Sequence, residues 1–487
     1  MVGVIERDPA GAAGRHYDLA VIGGGIYGIS LALEATRRGL RPVLLERRDF
    51  GSGTTWNNLR ILHGGLRHLQ RLDLRSARDS VRERRWYLRT FPELVRPLAC
   101  VMPLYGRGLR RPAVLRAALL ASEALSAGLR SLPPGRVLSA GETAARFPGV
   151  ETDGLRGAAL WYDAAMPDSP RLLIEMARWA SAGGATLLNY LEATDLVQHG
   201  GRVKGVRGTD SLTGDSWEFR AGVVVNCAGP WCRELAARFD RDIEELFRPS
   251  LAFNVLLDRA PLADAALAVE PPQPGSRTCF VVPWKGRMLA GTYHAPRPGG
   301  MAAGPPEREW IRRFLEDLNE ALPGLELGEP DVTRVFWGLL PATEAGTCRL
   351  ALREEIRDHG GAGGPAGLFS VSGVKFTTAR RVAERALERI YGSSRPAEPS
   401  VRPPSPALLW REFENVLGSD PEAARLIVDR LVEEEAVMGL DDLLLRRTDW
   451  GLHPGAPPDI PARIRELRPQ IPDREVAPGL AGSPTDD

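Results

Sequence analysis

The sequence predicts an α/β protein, and three observations carry that expectation. An apolar strand pattern at 17–22 (YDLAVI) runs into the cluster Gly23-Gly24-Gly25, a helix-like stretch 25–38 and a second apolar strand at 42–46 (PVLLE). A strand–turn–helix pattern returns at 368–391, beyond a long strand-rich middle. The Pro-rich stretch 395–406 then reads as a linker before helical sequence at about 408–447.

Between these landmarks the periodicity predicts helices at 75–90 and 108–130. Strands are expected around 155–162, 186–191, 203–208 and 217–226, with VVVNCAG at 223–229 as a buried strand entering a glycine turn. Strand-rich sequence continues through 250–257, 279–292 and 332–340. Residues 1–16 read as a flexible leader, and the Pro-rich tail from His453 as loosely ordered chain. No internal repeat is visible.

With 487 residues the chain can form more than one core, and 43% hydrophobic residues suit a globular protein. A net charge of +1 gives no global field that would select nucleic acid. Arginine dominates the cations; the three lysines, Lys204, Lys285 and Lys375, stand out against that bias. The five cysteines form no C-x-x-C pair, so neither a disulfide framework nor a metal site is signalled. The N-terminus lacks the apolar stretch of a signal peptide, and no apolar run approaches the ~20 residues that span a bilayer. The expected location is the cytoplasm, or the inner face of the cell membrane.

Gly23-Gly24-Gly25-Ile26-Tyr27-Gly28 fits G-x-G-x-x-G between a strand and a helix. Gly23 permits the turn, Gly25 admits a pyrophosphate to the backbone, and Gly28 allows helix to pack on strand. The phosphates would meet a helix N-terminus, and Glu46 stands where an acid binds ribose hydroxyls. This Rossmann-like motif does not separate NAD from FAD. The polar loop that follows, with Thr54, Thr55, Asn57 and Asn58, offers donors for a second phosphate and a ribityl chain. It leads to His63-Gly64-Gly65-Leu66-Arg67, whose paired glycines let backbone lie against a flat ring, and these features point to FAD.

At this point the chain resembles the FAD-dependent glycerol-3-phosphate dehydrogenases of the D-amino-acid-oxidase-like flavoproteins. The matching pieces include DLAVIGGGIYG at 18–28, ILHGGLRHL at 61–69, WYDAAMPDSPRLL at 161–173 and VVNCAGPW at 224–231. They continue with FVVPWKGRMLAGT at 280–292, SVSGVKFTTARRVAERALE at 370–388 and a helical C-terminal piece at 432–452. The resemblance implies FAD segments at about 17–75, 150–235 and 340–394, interleaved with substrate-domain segments at about 76–149 and 236–339. A mixed or antiparallel sheet is expected in the substrate domain, a helical C-terminal domain at 405–452, and a loose tail at 453–487. By the same resemblance Ile26, Tyr27 and Arg47 join the motif residues and the 54–66 loop around FAD. Ala193 lies near the adenine, and Asn226, Ala228, Gly229 and Trp231 close over the cofactor. Gly373, Val374, Lys375, Phe376 and Thr377 lie at the pyrimidine edge, with Lys375 at a helix start where a cation stabilises reduced flavin.

Candidate catalytic residues follow. His63 is placed to take a substrate proton, orient the ring or attach the flavin; the alternative is a loop histidine bonded to backbone. Arg67 and Arg353 match the family's substrate-anion arginines, and Tyr293 and His294 stand where the family commonly has Thr-Asp. Two departures concern the substrate: Leu340 replaces an arginine and Leu251 a histidine, with Arg248 or Arg334 as compensators. They predict poor turnover of glycerol 3-phosphate and preference for a less charged or larger hydroxy compound. The expected activity is oxidation of a small secondary alcohol, with electrons passed to quinone or another acceptor. The rivals are an amino-acid or amine oxidase and a flavin-binding protein that has lost activity. The basic amphipathic stretch 107–130 suits a membrane surface or the protein's own core. A homodimer is a further expectation; a metal and a nucleic acid are not expected.

Overall fold

The computed structural model describes residues 3–66, 68, 73–106, 111–125, 132–147, 149–271, 273, 276–297, 304–393, 401–405 and 410–472. Its first body is a six-stranded sheet with Leu19–Ile22 near the middle, flanked by Pro42–Leu45 and Thr186–Leu188 on one side. Val224–Asn226, Leu368–Ser372 and Glu355–Asp358 lie on the other side; every pairing is parallel except the last, an antiparallel edge. Apolar runs such as LAVI are buried on both faces, as a covered parallel sheet requires. Leu19 and Val21 point to a helical layer formed by Ile26–Arg37, Ser169–Ala182 and Ala379–Tyr391. Ala20 and Ile22 point the other way, onto the four-stranded sheet of His16–Tyr17, Ser216–Ala221, Arg202–Asp210 and Leu191–His199.

The second body is a nine-stranded mixed sheet. Its strands run from Val332–Pro341 through Pro249–Leu257, Arg287–Pro296, Cys279–Trp284, Ala266–Val269, Arg96–Pro103 and Ala158–Ala165 to Ile61–Leu62; Arg136–Leu138 also pairs with Ala158–Ala165. Helix Arg308–Ala321 buries Phe314, Leu315 and Leu318 against it. The sheet therefore draws Ala158–Ala165 from a stretch that the sequence assigns to the cofactor segments. Conversely, helix Leu74–Thr90 sends Tyr87 into the core of the first body. The strand is buried on both faces and the helix is amphipathic, and in neither case does the local pattern say which neighbour is covered.

The third body is helical: Trp410–Ser419, Pro421–Glu434, the π turn Leu443–Arg447 and Ile460–Leu467 surround Phe413 stacked 3.7 Å from Trp450. Two sequence expectations are corrected. Within the tail, Ile460–Leu467 form a helix whose Ile460 and Ile464 plug this core; residues 473–487 lie outside the described residues. Nor is the leader flexible from residue 3: Ile5 is buried, its N–H donates to Glu434 (2.7 Å), and Arg7 bonds Asn189 O and Asp210. The predicted helix at 108–130 is found as Pro112–Leu125, with Leu115 and Leu119 packed in the protein's own core. Leu115 and Leu119 are thus covered by the protein itself, and among the described residues of the helix Leu120 is the most exposed large apolar side chain. Residues 107–110 and 126–130 lie outside the described residues. No helix among the described residues is long and apolar enough to cross a membrane.

Candidate functional site

A cleft of about 1170 Å³ runs between the two sheets. At one end the chain turns from Ile22 into helix Ile26–Arg37 through Gly23, whose φ of +107° only glycine adopts without strain. A Cβ on Gly25 would meet only Thr55 Oγ1, at 3.1 Å, and would otherwise enter the cleft. The helix cap has no side chain of its own; the Ile26 N–H donates to Thr55 Oγ1 (3.0 Å). Glu46 accepts from the Gly24 (2.6 Å) and Arg48 (2.9 Å) N–H groups, and burial pushes its carboxyl up despite them. The Arg47 guanidinium lies 4.2 Å over the Trp231 ring, and Ala193 lines the wall beside them.

Midway along, Tyr27 and the 373–377 segment meet. The Tyr27 hydroxyl donates to Lys375 O (2.9 Å) and accepts from Lys375 N–H (3.0 Å); burial raises its pKa. A Cβ on Gly373 would sit 1.9 Å from the Tyr27 ring, so the close approach needs glycine. Lys375 reaches His68, Nζ to Nε2. It stands four residues before helix Ala379–Tyr391, in irregular chain, so the expected helix-start position is corrected: Thr377 and Thr378 make the turn that precedes the helix.

At the far end His63 is half-exposed to the cleft, its ring 5.1 Å from Phe280. Its Nδ1 pairs with Asp163 Oδ2 (3.1 Å), not with backbone. Asp163 also accepts from Gly64 N–H (2.7 Å), Arg84 (3.0 Å) and Trp161 Nε1 (3.3 Å). Burial pushes its carboxyl up, but the His63 hydrogen bond and charge, with Arg84 and Gly64, outweigh that and hold its pKa at about 2. Opposite, His294 and Ala252 are cross-strand partners that both line the cleft, with Asn254 and Thr292 beside them. The Asn254 Oδ1 accepts from the Thr292 hydroxyl (2.8 Å).

The family model for the DAO group, FAD dependent oxidoreductase, matches residues 18–386. The chain belongs to the FAD-dependent oxidoreductases. It is 32% identical over 493 residues to glycerol-3-phosphate dehydrogenase 1 of Mycobacterium tuberculosis, covering 91% of this chain and 93% of that one. It is 30% identical over 395 residues to the glycerol-3-phosphate dehydrogenase of Synechocystis sp., covering 79% and 71%. In fold it is similar to the glycerol-3-phosphate dehydrogenase of Bacillus halodurans complexed with FAD (TM-score 0.70, 21% identity, 92% and 88% covered). It also resembles L-proline dehydrogenase from P. horikoshii (TM-score 0.57, 17% identity, 79% and 96% covered).

FAD is therefore the cofactor of this oxidoreductase, and the cleft suits it. An elongated channel, a helix N-terminus open at Gly25, a carboxylate at Glu46 and open space over Gly229 accommodate an extended dinucleotide. Gly23, Gly25, Ile26, Tyr27, Glu46, Arg47, Thr54, Thr55, Asn58, His63, Gly65, Leu66, Ala193, Ala228, Gly229, Trp231, His294 and 373–377 all line it.

Several expected site residues stand elsewhere. Gly28 lies behind the turn, where a Cβ would be 1.9 Å from Gly23 O. Gly64 makes room for Arg84 rather than for a ring, since its Cβ would sit 1.8 Å from that guanidinium. Asn226 is buried one layer back, donating to Cys232 O (2.8 Å) and accepting from Ala228 N–H (3.1 Å), so it shapes the turn. Arg353 is exposed beside a smaller hollow of about 140 Å³, shared with Lys375 and Asp79. Arg67 lies outside the described residues. Leu251 is not a lost cleft residue: strand alternation sends it with Phe253 and Val255 into the core, while Ala252 and Asn254 face the cleft. Leu340 does line the cleft. Neither proposed compensator does: Arg248 bonds Glu244 and Thr343 O, and Arg334 is half-buried with Asp441 as its charged neighbour. Sequence reasoning missed Asp163 and Arg84; the only signal was Asp163 inside WYDAAMPDSPRLL.

Proposed function

We propose that this oxidoreductase oxidises the secondary alcohol of glycerol 3-phosphate and passes the electrons to quinone or another acceptor. The pairing of His63 with buried Asp163 at the cleft wall carries the reading. Relatives named glycerol-3-phosphate dehydrogenase, at 30–32% identity, favour glycerol 3-phosphate over the less charged or larger compound expected from Leu340 and Leu251, and Leu251 faces the core rather than the cleft. Bound FAD supplies the hydride acceptor. With Nδ1–H donated to Asp163, the neutral imidazole presents Nε2 as a proton acceptor for the substrate hydroxyl. The ionised Asp163 fixes that tautomer and stabilises the imidazolium formed, while Arg84, Trp161 and Gly64 keep the carboxylate in place. Tyr27 holds the Lys375 backbone at the cleft wall.

Anaerobic addition of glycerol 3-phosphate to the purified holoprotein tests this. Expected is bleaching of the flavin band, slowed by about 10²–10⁴ in His63→Gln with FAD content unchanged. An unbleached wild type that responds instead to hydroxy acids or amines would overturn the substrate. Unchanged bleaching in His63→Gln would overturn the base.

A further inference from the structure

The segment 46–58 supplies much of the cofactor wall, including Glu46, Arg47, Thr54 and Thr55, yet its only regular structure is the 3₁₀ turn Thr54–Asn57. Its shape comes from outside it. Asp49, three residues after Glu46, is fully buried, and both of its oxygens are held by the C-terminal helical body. Oδ2 accepts from Arg446 Nε and Arg447 Nη1 (2.5 Å each), and Oδ1 from Arg447 Nη2 (2.7 Å). Asn189 bridges the same two bodies, donating to Asp49 (2.9 Å) and to Ala436 O (2.9 Å). Further along the segment, Trp56 Nε1 donates to Leu445 O (3.3 Å). Asp442 completes the charge balance, accepting from Arg446 and from the Tyr190 hydroxyl (2.8 Å).

We infer that Arg446 and Arg447 are positioning residues for the cofactor: by clamping Asp49 they set the 46–58 segment, and docking of the C-terminal body is thereby coupled to FAD binding. The inference rests on FAD as the cofactor and not on the substrate. Buried ion pairs contribute little net stability against apolar packing but define register well. Here the register lies between Gly24, whose N–H bonds Glu46 and whose O accepts from Gly51 N–H (3.0 Å), and Thr55 at the helix N-terminus. Neither arginine lines the cleft, so their effect on FAD passes through Asp49. Coupling of this kind is reciprocal: whatever the clamp adds to FAD affinity, FAD returns to docking.

Hydrogen exchange of wild-type apoprotein and holoprotein is the first test. FAD should slow exchange at 440–450 about fivefold or more, although these residues lie off the cofactor wall. The second is FAD titration of apoprotein, followed by fluorescence, in Arg447→Lys and Asp49→Asn. Kd should rise about tenfold at a temperature where the variants are folded, and the FAD-dependent protection at 440–450 should shrink with it. An Ile464→Ala variant, weakened in the same helical core but with the clamp intact, should keep the wild-type Kd. Exchange at 440–450 that ignores FAD in the wild type overturns the inference, and so does a wild-type Kd in folded Arg447→Lys. If Arg447→Lys and Asp49→Asn do not fold, the wild-type exchange measurement alone decides.

Discussion

At the scale of single residues, the Asp163 carboxylate decides what His63 can do. Asp163→Asn keeps the shape but reverses a donor and an acceptor, so Nδ1 must become the acceptor and Nε2 carries the proton it should receive. Substrate-driven flavin reduction should fall by about 10²–10⁴, measured by stopped-flow bleaching, with FAD still bound. The same carboxylate has a folded-state pKa of about 2, below its ordinary value near 3.8. A depressed carboxyl stabilises the fold above the unfolded pKa and loses that contribution as pH falls through the folded one. The gap in unfolding free energy between wild type and Asp163→Asn should therefore be about 2 kcal/mol larger at pH 6 than near pH 1. Urea titrations at pH 6 and pH 3 should show roughly half of it gone at the lower value. Two glycines of one motif should separate in the same way. Gly25→Val places its side chain in the cleft and should yield folded, colourless protein. Gly28→Ala drives a Cβ onto Gly23 O and should cost soluble, folded protein; comparing flavin content with circular dichroism distinguishes the two.

At the scale of elements, what matters is which surfaces are brought together. Lys285 sits at the tip of the hairpin between Cys279–Trp284 and Arg287–Pro296, with φ +49°. Its ammonium reaches Asp168, the cap residue of helix Ser169–Ala182, at 2.6 Å, and also Asp449 of the C-terminal body. One lysine thus pins three elements from three bodies. Lys285→Ala leaves buried Asp449 facing the partly buried Asp168 with no cation between them, and removing one partner of such a group costs about 3–5 kcal/mol. A fall of that size in unfolding free energy, measured by denaturant titration, is expected. The same truncation at exposed Lys204 should leave stability within about 0.5 kcal/mol.

At the scale of the whole molecule, the cleft exists only where the two sheets face each other, and the third body reinforces the wall between them. FAD binds the assembled form and not the unfolded chain, so at 100 times its Kd it should add about 2.7 kcal/mol of stability. Stripping the cofactor should therefore lower Tm, and added FAD should restore it in proportion to the logarithm of its concentration. A Tm independent of FAD would mean that the cleft is not its site.

Much of this was legible in order along the chain. The strand–glycine–helix unit, Glu46, the 54–66 loop and the 373–377 segment were all read from residue type and local period, and each lines the cleft. These features are local: a φ of +107° at Gly23 or a helix opening at Ile26 is determined within a few residues of chain. Residues 3–16 and 460–467 depart from the loose chain expected of leader and tail because polar, Pro-rich composition reports the lack of local structure and not the presence of a distant partner. Ile5 is ordered by burial and by its backbone bond to Glu434, and Ile464 by packing in the helical core, all contacts with distant chain. For the same reason residue type alone reads Leu251 as a lost catalytic position, whereas strand alternation turns it into the core. His63 found its partner a hundred residues away in Asp163, and Asp49 found Arg447 nearly four hundred away. The sequence by itself determined the cofactor-binding turn, the order of elements and the family. Only the tertiary structure decided which charges are buried against each other, because that pairing depends on desolvation, and desolvation is a property of the assembled layers rather than of any stretch of chain.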